Sequence, residues 1–439
     1  MEVVIADRVG ANVVGKSGLK DKLNVLVFGS GAREHAIADS ISKSPYLAKL
    51  YLAQTGSFAE IFNLGESIDF SDYEDLAKEA EELDVNLAIF GPEEALCSGI
   101  VDVFHKYNIP CIGVDKEFSQ LESSKLFGKK FMEKYGIKTA KYEVVDLNVG
   151  ELPSFQASKL PIVIKADGLC GGKGVVTANN ETFAKKTIND FLEGKFGENS
   201  KTILLEEFLE GEELSLISLW DGETLLHFPP ARDFKKLNKS ESAPNTGGMG
   251  AFCPVKLNPF AKKKLDEYKM RLQKALESED AEFVGFIYSG LIMAQSHGIW
   301  DWYVLEYNVR LGDPETQAIL SHLKTDFLSI LKSALEKNLD KIKLEYNEDI
   351  SACLTLACEG YPKVPRDGKK ITLPEETSDN RDIKIFYAGV EEKDGELYSK
   401  GGRVLSLCTT SQDPFWKLKN FAKEIEMENK YFRNDVEVR

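Results

Sequence analysis

Hydrophobic and polar positions along the first quarter of the chain predict strands and helices in alternation. An apolar run at 85–92 predicts a buried strand, whereas 32–44 and 71–83 carry apolar residues at helical spacing. Strands that alternate with helices are typical of a doubly wound parallel sheet. Ligands of such sheets bind beyond the carboxyl ends of the strands. We therefore expect the loops at 29–35 and 91–96 to face a ligand.

A different pattern begins after residue 123. A basic segment at 124–136 predicts a helix, and apolar strands flank a glycine-rich turn near 160–178. We expect a multidomain α/β and α+β protein with an N-terminal doubly wound parallel sheet, a central module and a small C-terminal α+β domain. The predicted division is a disordered extension at 1–22, a substrate domain at 23–123, a central domain at 124–338 with a lid at about 142–212, and a C-terminal domain at 339–439.

Composition narrows the class of protein. The net charge of −16 argues against a general surface for nucleic acid or acidic membranes. No apolar run approaches the roughly 20 residues that cross a bilayer. Seven cysteines without a CxxC pair and five scattered histidines fit reduced thiols without a zinc site. We expect a cytoplasmic protein that binds neither nucleic acid nor membrane.

Residues 10–17, "GANVVGKS", match the phosphate-binding pattern GxxxxGK[ST]. A loop of that kind must open into a helix whose N-terminus faces the phosphates. Only 18–22 separate the match from the next strand, and a crossover helix needs a dozen or more residues. We interpret the match as a chance occurrence.

A second glycine-rich stretch is "KADGLCGGKGVV" at 165–176. Lys165 and Lys173 flank a turn whose glycines let backbone amides approach a ligand closely, and lysine suits phosphate. The stretch therefore predicts a phosphate-binding hairpin tip. A tight turn with two solvated lysines would show the same pattern.

The loop "GSGAREH" at 29–35 resembles a dinucleotide fingerprint but has Glu34 where the third glycine belongs. Gly29, Gly31 and Arg33 at a helix start suit a single phosphate monoester better than a pyrophosphate. An ordinary strand–helix turn remains the alternative.

Acidic and amide side chains mark two further segments. Glu306 and Asn308 in "LEYN" are two apart, so in a strand they face the same way and offer hard oxygen ligands for Mg²⁺. Two surface polar residues would look the same. The stretch 201–217 predicts one strand, in which Glu206, Glu207 and Glu213 are costly to bury unless paired. They could accept hydrogen bonds from an adenine amino group and from ribose hydroxyls.

The order of these motifs resembles that of the ATP-grasp ligases. Within that superfamily, "FGSGAREHA", "GPEEAL", "SSKLFGKKFMEKYGIKTA", "IKADGLCGGKGV", "PNTGGMGAF", "NVRLGDPETQ" and "FYAG…GGRVL" together resemble the phosphoribosylamine–glycine ligase family over residues 23–439. "PNTGGMG" and "RLGDPETQ" are its most specific parts. The resemblance implies a central ATP-grasp domain.

It also implies a reaction. ATP, glycine and 5-phosphoribosylamine would give glycinamide ribonucleotide, ADP and phosphate through glycyl phosphate, in purine biosynthesis. The implied cofactor is Mg²⁺ or Mn²⁺, with ATP as co-substrate. The implied partners are these small molecules, with unstable substrate handed to or from neighbouring purine-pathway enzymes. The alternatives are another ATP-grasp carboxylate–amine ligase and a non-catalytic nucleotide-binding module. Intact Lys165, Lys173, Glu306 and Asn308 argue against the latter.

Site residues follow from the resemblance, position by position. The implied ATP-binding residues are Lys125, Lys165, Gly168, Gly171, Gly172, Lys173, Gly174, Glu206, Glu207, Leu209 and Glu213. The implied substrate-binding residues are Gly29, Gly31, Arg33, Glu34, Gly91, Glu93, Asn245, Thr246, Gly247, Gly248 and Met249. Glu306 and Asn308 would hold the metal. Arg310 and Asp313 would position the reacting groups, and Asp233 could accept a proton from the attacking amine.

Overall fold

The fold is taken from a computed structural model that describes residues 19–53, 64–147, 160–170, 174–195, 202–240, 243–296, 298–375 and 380–438. The match at 10–17 and the tip residues Gly171, Gly172 and Lys173 lie outside these ranges, so what the sequence predicts for them stays a prediction. Within the described ranges, no helix has the length and apolar character to cross a membrane.

The N-terminal segment forms a parallel sheet with helices packed on it. Its strands are β1 (Leu23–Phe28), β2 (Leu47–Ala53), β3 (Glu66–Ile68), β4 (Leu87–Phe90) and β5 (Cys111–Ile112), and its helices are α1 (Ala32–Ser42), α2 (Tyr73–Glu82), α3 (Glu93–Ser98) and α4 (Ile100–Lys106). The strand order is β3-β2-β1-β4-β5, which confirms the predicted doubly wound sheet. The sequence pattern missed β3. Gly99, at φ 92°, separates α3 from α4.

The predicted disorder of 1–22 does not hold for its last residues. Leu19 packs against the hydrophobic core. Lys20 pairs with Asp84, and its carbonyl accepts a hydrogen bond from Lys332 Nζ at 2.9 Å. Residues 19–22 therefore belong to the folded body.

The next segment forms a lid of antiparallel strands together with three helices. Its elements are α5 (Gln120–Ser123), α6 (Lys125–Lys134), β6 (Tyr142–Asp146), β7 (Ile162–Ala166), β8 (Val175–Ala178), α7 (Glu181–Leu192) and β9 (Thr202–Glu207). The strand order is β6-β9-β7-β8. Strands β7 and β8 form the predicted hairpin, with Lys165 opposite Val175.

The predicted single strand at 201–217 is wrong, because the chain leaves the lid after Glu207 and enters another sheet at Gly211. The elements that follow are β10 (Gly211–Trp220), β11 (Leu225–His227), β12 (Arg232–Asp233), β13 (Gly250–Cys253), α8 (Pro259–Ser278), β14 (Gly285–Ser296), β15 (Ile299–Asn308), α9 (Glu315–His322) and α10 (Phe327–Leu335). The order β11-β10-β14-β15 forms the main sheet. The three-residue break therefore joins two separate layers.

The C-terminal segment completes the fold. After a 3₁₀ turn at Leu339–Lys341, its elements are β16 (Ile350–Cys358), β17 (Lys370–Thr372), β18 (Lys384–Tyr387), β19 (Val390–Lys393), β20 (Glu396–Ser399), β21 (Arg403–Ser411), α11 (Pro414–Glu424), β22 (Glu426–Met427) and β23 (Lys430–Tyr431). Strands β12 and β13 extend its sheet in the order β12-β13-β16-β21-β18. One continuous core cluster spans the N-terminal sheet, the main sheet and the C-terminal sheet.

Candidate active site

A cavity of about 1500 Å³ lies between the lid and the main sheet. Strands β7 and β8 line it from the lid side, and β14 and β15 line it from the main sheet. The predicted site residues that line it are Glu93, Lys125, Lys165, Gly168, Gly174, Glu206, Glu207, Leu209, Glu213, Asp233, Asn245, Thr246, Gly247, Glu306, Asn308, Arg310 and Asp313. Residues up to 220 positions apart in sequence, from Glu93 to Asp313, thus face one space.

Two buried lysines share one carboxylate at the lid end of this cavity. Glu206 Oε2 lies 2.9 Å from Lys165 Nζ and 3.0 Å from Lys129 Nζ. Burial lowers the pKa of Lys129 to about 8, although Glu206 opposes the shift. Glu206 Oε1 is buried without a hydrogen-bond partner among the described residues. A buried acceptor of this kind is costly unless a ligand donor satisfies it.

The break between β9 and β10 forms one wall of the same region. Glu207 Oε1 accepts from the backbone N–H of Lys141 at 3.0 Å and from Ser296 Oγ at 3.2 Å. Its carboxylate therefore ties the lid strands to the main sheet. Leu209 follows with 8% exposure and packs with Ala140, so it supplies an apolar surface beside the polar groups.

Glu306 and Asn308 end strand β15, and both line the cavity. Lys235 Nζ lies 3.9 Å from Glu306 Oε1 and 3.1 Å from Glu213 Oε2. Burial alone would raise the pKa of Glu306, but Lys235, Lys125 and Lys165 lower it on balance. Glu306 is therefore an ionised carboxylate at neutral pH.

Arg310 lies just beyond β15 and joins three parts of the chain. Its Nε pairs with Glu93 Oε2 at 3.0 Å and its Nη2 with Glu122 Oε1 at 3.0 Å. Glu122 Oε2 also accepts from the backbone N–H of Val309 at 2.8 Å. Burial would lower the pKa of Arg310, but the two carboxylates raise it. The guanidinium is therefore fixed and charged where the N-terminal segment meets β15.

Asp233 lies on β12 beside Lys235 and Glu315. Burial raises the pKa of Asp233 well above its usual value, even though Lys235 opposes the shift. Glu315 is buried, and its Oε1 accepts from Ser215 Oγ at 2.9 Å and from Tyr288 Oη at 3.0 Å. A carboxylate with a raised pKa is a stronger base than an ordinary one.

The loop at 243–249 contacts the loop that precedes α9. A Cβ atom at Gly248 would lie 2.3 Å from Pro314 Cδ, and Gly248 has φ +109°, so both space and conformation require glycine. Asp313 Oδ2 pairs with Arg403 Nη2 at 2.6 Å. Met249, predicted to bind substrate, is fully buried in the core, so its side chain does not face the cavity.

The loop at 29–34 differs from the predicted phosphate loop. The Gly31 N–H donates to Glu34 Oε2 at 2.6 Å, and Arg33 Nε donates to Glu34 Oε1 at 2.6 Å. A Cβ atom at Gly91 would lie 1.7 Å from Glu34 Oε1, and one at Gly29 would lie 2.7 Å from Glu34 Cγ. The glycines therefore make room for the Glu34 side chain. Of the predicted N-terminal set, Glu93 is the member that lines the cavity.

Charged residues that the sequence analysis did not select complete the site. They are Glu122, Lys129, Lys235, Glu315 and Arg403. Lys129 carried a detectable signal, because it occupies the apolar face of α6 three positions before Met132. Lys235 also carried a signal in the sequence, because it follows the selected residue Asp233 by two positions. Arg403 gave no local signal, because its partners are remote in sequence.

An antiparallel lid that faces a second sheet across a lysine-rich cavity defines the ATP-grasp class of ligases. Three models of phosphoribosylglycinamide synthetase domains match in order: the N domain at 23–122, the ATP-grasp (A) domain at 123–316 and the C domain at 351–439. The chain therefore belongs to the phosphoribosylglycinamide synthetase family.

Individual relatives agree over nearly the full length. Phosphoribosylamine–glycine ligase from Fusobacterium nucleatum is 39% identical, with 94% of this chain and 98% of that protein covered. The crystal structure of the enzyme of that name from Thermotoga maritima superposes with a TM-score of 0.78 at 31% identity, covering 94% of this chain and 100% of that one. A biotin carboxylase domain from Hydrogenobacter thermophilus, at 15% identity, reaches 0.70 over 94% and 92% of the two chains and shows the fold alone.

Proposed function

We propose that the chain ligates glycine to 5-phosphoribosylamine with ATP, giving glycinamide ribonucleotide, ADP and phosphate in purine biosynthesis. The observation that carries the proposal is the ordered match of three family domains around one cavity that brings Lys165, Glu206, Glu306 and Arg310 together. A carboxylate is a poor acyl donor, so its activation as glycyl phosphate would precede attack by the amine. The protein has to align the reactants and neutralise phosphate charge.

The nucleotide would occupy the lid end of the cavity. The unpartnered Glu206 Oε1 supports an exocyclic amino group as its donor, and Leu209 offers an apolar surface for a base. Lys165 and Lys125 would neutralise phosphates, and Glu213 would accept from ribose hydroxyls. The glycine tip, including Gly168 and Gly174, would approach the phosphates through its backbone, with Gly171, Gly172 and Lys173 as proposed members.

A divalent metal fits the end of β15. Glu306 is ionised and lines the cavity with Asn308, and a carboxylate plus an amide oxygen are the hard ligands that Mg²⁺ or Mn²⁺ accepts together with substrate phosphates. Within the described residues, no group of three or more His, Cys, Asp or Glu is arranged to hold a metal. The proposed site therefore relies on two protein oxygens, with phosphate oxygens and water as the other ligands. The metal would supply charge neutralisation at the phosphates.

The acyl-transfer end would lie around Arg310, Asp313 and the loop at 245–248. Arg310 carries a fixed positive charge suited to the glycine carboxylate and the acyl phosphate. Asp233, whose pKa is raised, would accept the proton that the attacking amine loses when the amide forms.

Phosphoribosylamine would approach from the N-terminal segment. Glu93 lines the cavity, so we assign it a direct contact with this substrate. We assign Gly29, Gly31, Glu34 and Gly91 the task of shaping the loop, and Arg33 anchors it through a hydrogen bond to the carbonyl of Leu311 at 3.1 Å.

We also propose a cytoplasmic location and a transfer of the unstable amine from a neighbouring enzyme. The chicken relative is named a trifunctional purine biosynthetic protein and is 35% identical over 94% of this chain. That name supports proximity to other enzymes of the pathway.

The test is phosphate release by the purified protein. Release should require ATP, glycine and phosphoribosylamine together. Release with another carboxylate and amine would favour a different ATP-grasp ligase, and ATP binding without turnover would favour a non-catalytic module.

Glu306→Gln should lower kcat by orders of magnitude, comparable to about 3–4 kcal/mol of lost transition-state stabilisation. Glu212→Gln is the matched control, because the Glu212 side chain is 78% exposed and does not line the cavity. Normal turnover of Glu306→Gln with an unchanged Mg²⁺ requirement would refute the metal assignment.

A further inference from the structure

Two residues of the C-terminal segment reach the loops at the acyl-transfer end of the cavity. Arg403 begins β21, and Tyr361 follows β16. Tyr361 lies over Gly402, since a Cβ atom there would be 2.4 Å from Tyr361 Cδ2. The tyrosine and the arginine are therefore held side by side.

These two side chains hydrogen-bond to both backbone polar groups of Gly247. The Gly247 N–H donates to Tyr361 Oη at 2.9 Å, and Arg403 Nη1 donates to the Gly247 carbonyl at 2.6 Å. Gly247 lies in the loop that lines the cavity with Asn245 and Thr246. Contacts to both polar groups of one residue fix the position of this loop against the C-terminal sheet.

Arg403 also fixes Asp313. Its Nη1 donates to the Asp313 carbonyl at 3.0 Å, and its Nη2 pairs with Oδ2 at 2.6 Å. Gln317 Nε2 donates to Oδ1 of the same carboxylate at 2.7 Å. Both oxygens of Asp313 therefore have a donor from the protein, and the orientation of the carboxylate is determined.

We infer that Arg403 is a positioning residue for the ligation, which holds the Gly247 loop and Asp313 in the geometry that acyl transfer needs, with Tyr361 assisting. The inference rests on the proposed function. The planar guanidinium suits the task because one side chain reaches three acceptors on two loops, which the compact ammonium of lysine does not. A displacement of reacting groups by about 1 Å can reduce the rate about 100-fold.

The experiment measures steady-state kinetics of Arg403→Ala in the full chain. We expect kcat to fall about 100-fold and KM for glycine to rise. KM for ATP should stay within about twofold, because the side-chain hydrogen bonds of Arg403 go to Gly247 and Asp313 and not to the lid. Added guanidinium at millimolar concentration should recover at least about tenfold of the loss, and methylammonium at equal concentration should not, since only a planar fork can reach the acceptors. Arg366→Ala is the matched control, because Arg366 is an exposed arginine of the same segment that pairs with Glu359.

Tyr361→Phe removes only the hydroxyl that accepts from Gly247 and keeps the ring on Gly402. It should lower kcat about three- to tenfold, in the range of one lost hydrogen bond, and it serves if Arg403→Ala does not fold. Parental kcat in either variant, or a loss that guanidinium and methylammonium restore equally, would overturn the inference. Absence of glycine-dependent turnover in the unaltered protein would instead refute the proposed function.

Discussion

Gly91→Ala tests the packing between the loop that follows β1 and the loop that follows β4. The new Cβ would lie 1.7 Å from Glu34 Oε1, 2.5 Å from Cδ and 2.8 Å from Cγ. These distances are far below van der Waals contact, so the Glu34 side chain has to move. The Glu34 side chain belongs to a residue that is 1% exposed, so it is packed on all sides.

The cost follows from what Glu34 would lose. Its carboxylate accepts charge-assisted hydrogen bonds from the Gly31 N–H and from Arg33 Nε, both at 2.6 Å. Each bond contributes about 1.5–3 kcal/mol, and loss of a partner from a buried ion pair costs about 3–5 kcal/mol. We expect Gly91→Ala to destabilise the N-terminal region by about 3–5 kcal/mol, which corresponds to a fall in Tm on the order of 10 °C.

A double-mutant cycle measured by thermal unfolding isolates the collision. Glu34→Ala removes all three atoms that the new Cβ would meet, so Gly91→Ala should cost little in that background. Gly128→Ala is the matched control, because the nearest atom to its added Cβ is Leu121 O at 3.4 Å, and alanine is favoured over glycine in a helix. An equal loss of Tm from Gly91→Ala in both backgrounds would show that Glu34 is not the cause.

Two further predictions concern His35 and Lys16. Burial lowers the pKa of His35 from 6.5 to about 4, although Asp39 opposes the shift. As the pH falls from 6.5 to 4, the unfolded chain binds a proton that the folded chain excludes. The free energy of unfolding should therefore fall by up to about 3 kcal/mol over this range. His35 Nδ1 accepts a hydrogen bond from the Tyr387 N–H at 3.0 Å, and His35→Asn keeps an acceptor there. In this variant the free energy of unfolding should change less between pH 4 and 6.5 than in the parent protein. Parallel pH profiles of the two proteins would contradict this prediction. Lys16→Ala should leave ATP affinity unchanged in a binding titration, because its motif lacks a following helix, and a large loss of affinity would restore the phosphate-loop interpretation.

Local pattern and motif resemblance predicted much of the fold and many residues that share the cavity. The spacing of apolar residues indicates the alternating strands and helices before Val114. Glu306 and Asn308 are predicted to share a face because side chains two apart in a strand point the same way. The hairpin around Lys165 was visible because its flanking strands are apolar and its tip is glycine. These features depend on neighbours within a few positions.

Features set by distant neighbours were not predictable. Arg403 pairs with Asp313, which lies 90 positions away in the sequence. The residues around Arg403, "GGRVL", do not indicate which acidic residue it contacts. The break at 208–210 does not show in the hydrophobic pattern, because apolar stretches lie on both sides of it and no proline separates them. The sequence also does not show that Glu34 folds back over Gly91 and that its carboxylate accepts from the Gly31 N–H.

Strands β12 and β13 have a consequence for handling the C-terminal segment. The C-domain match begins at residue 351, yet β13 pairs with β16 through Gly250–Cys253 and Ser351–Leu354. A fragment cut at that boundary would leave the backbone of an apolar strand unpaired along its edge, and such edges recruit other chains. During synthesis β13 leaves the ribosome about 100 residues before its partner β16. For that interval β13 has no strand to pair with on this edge.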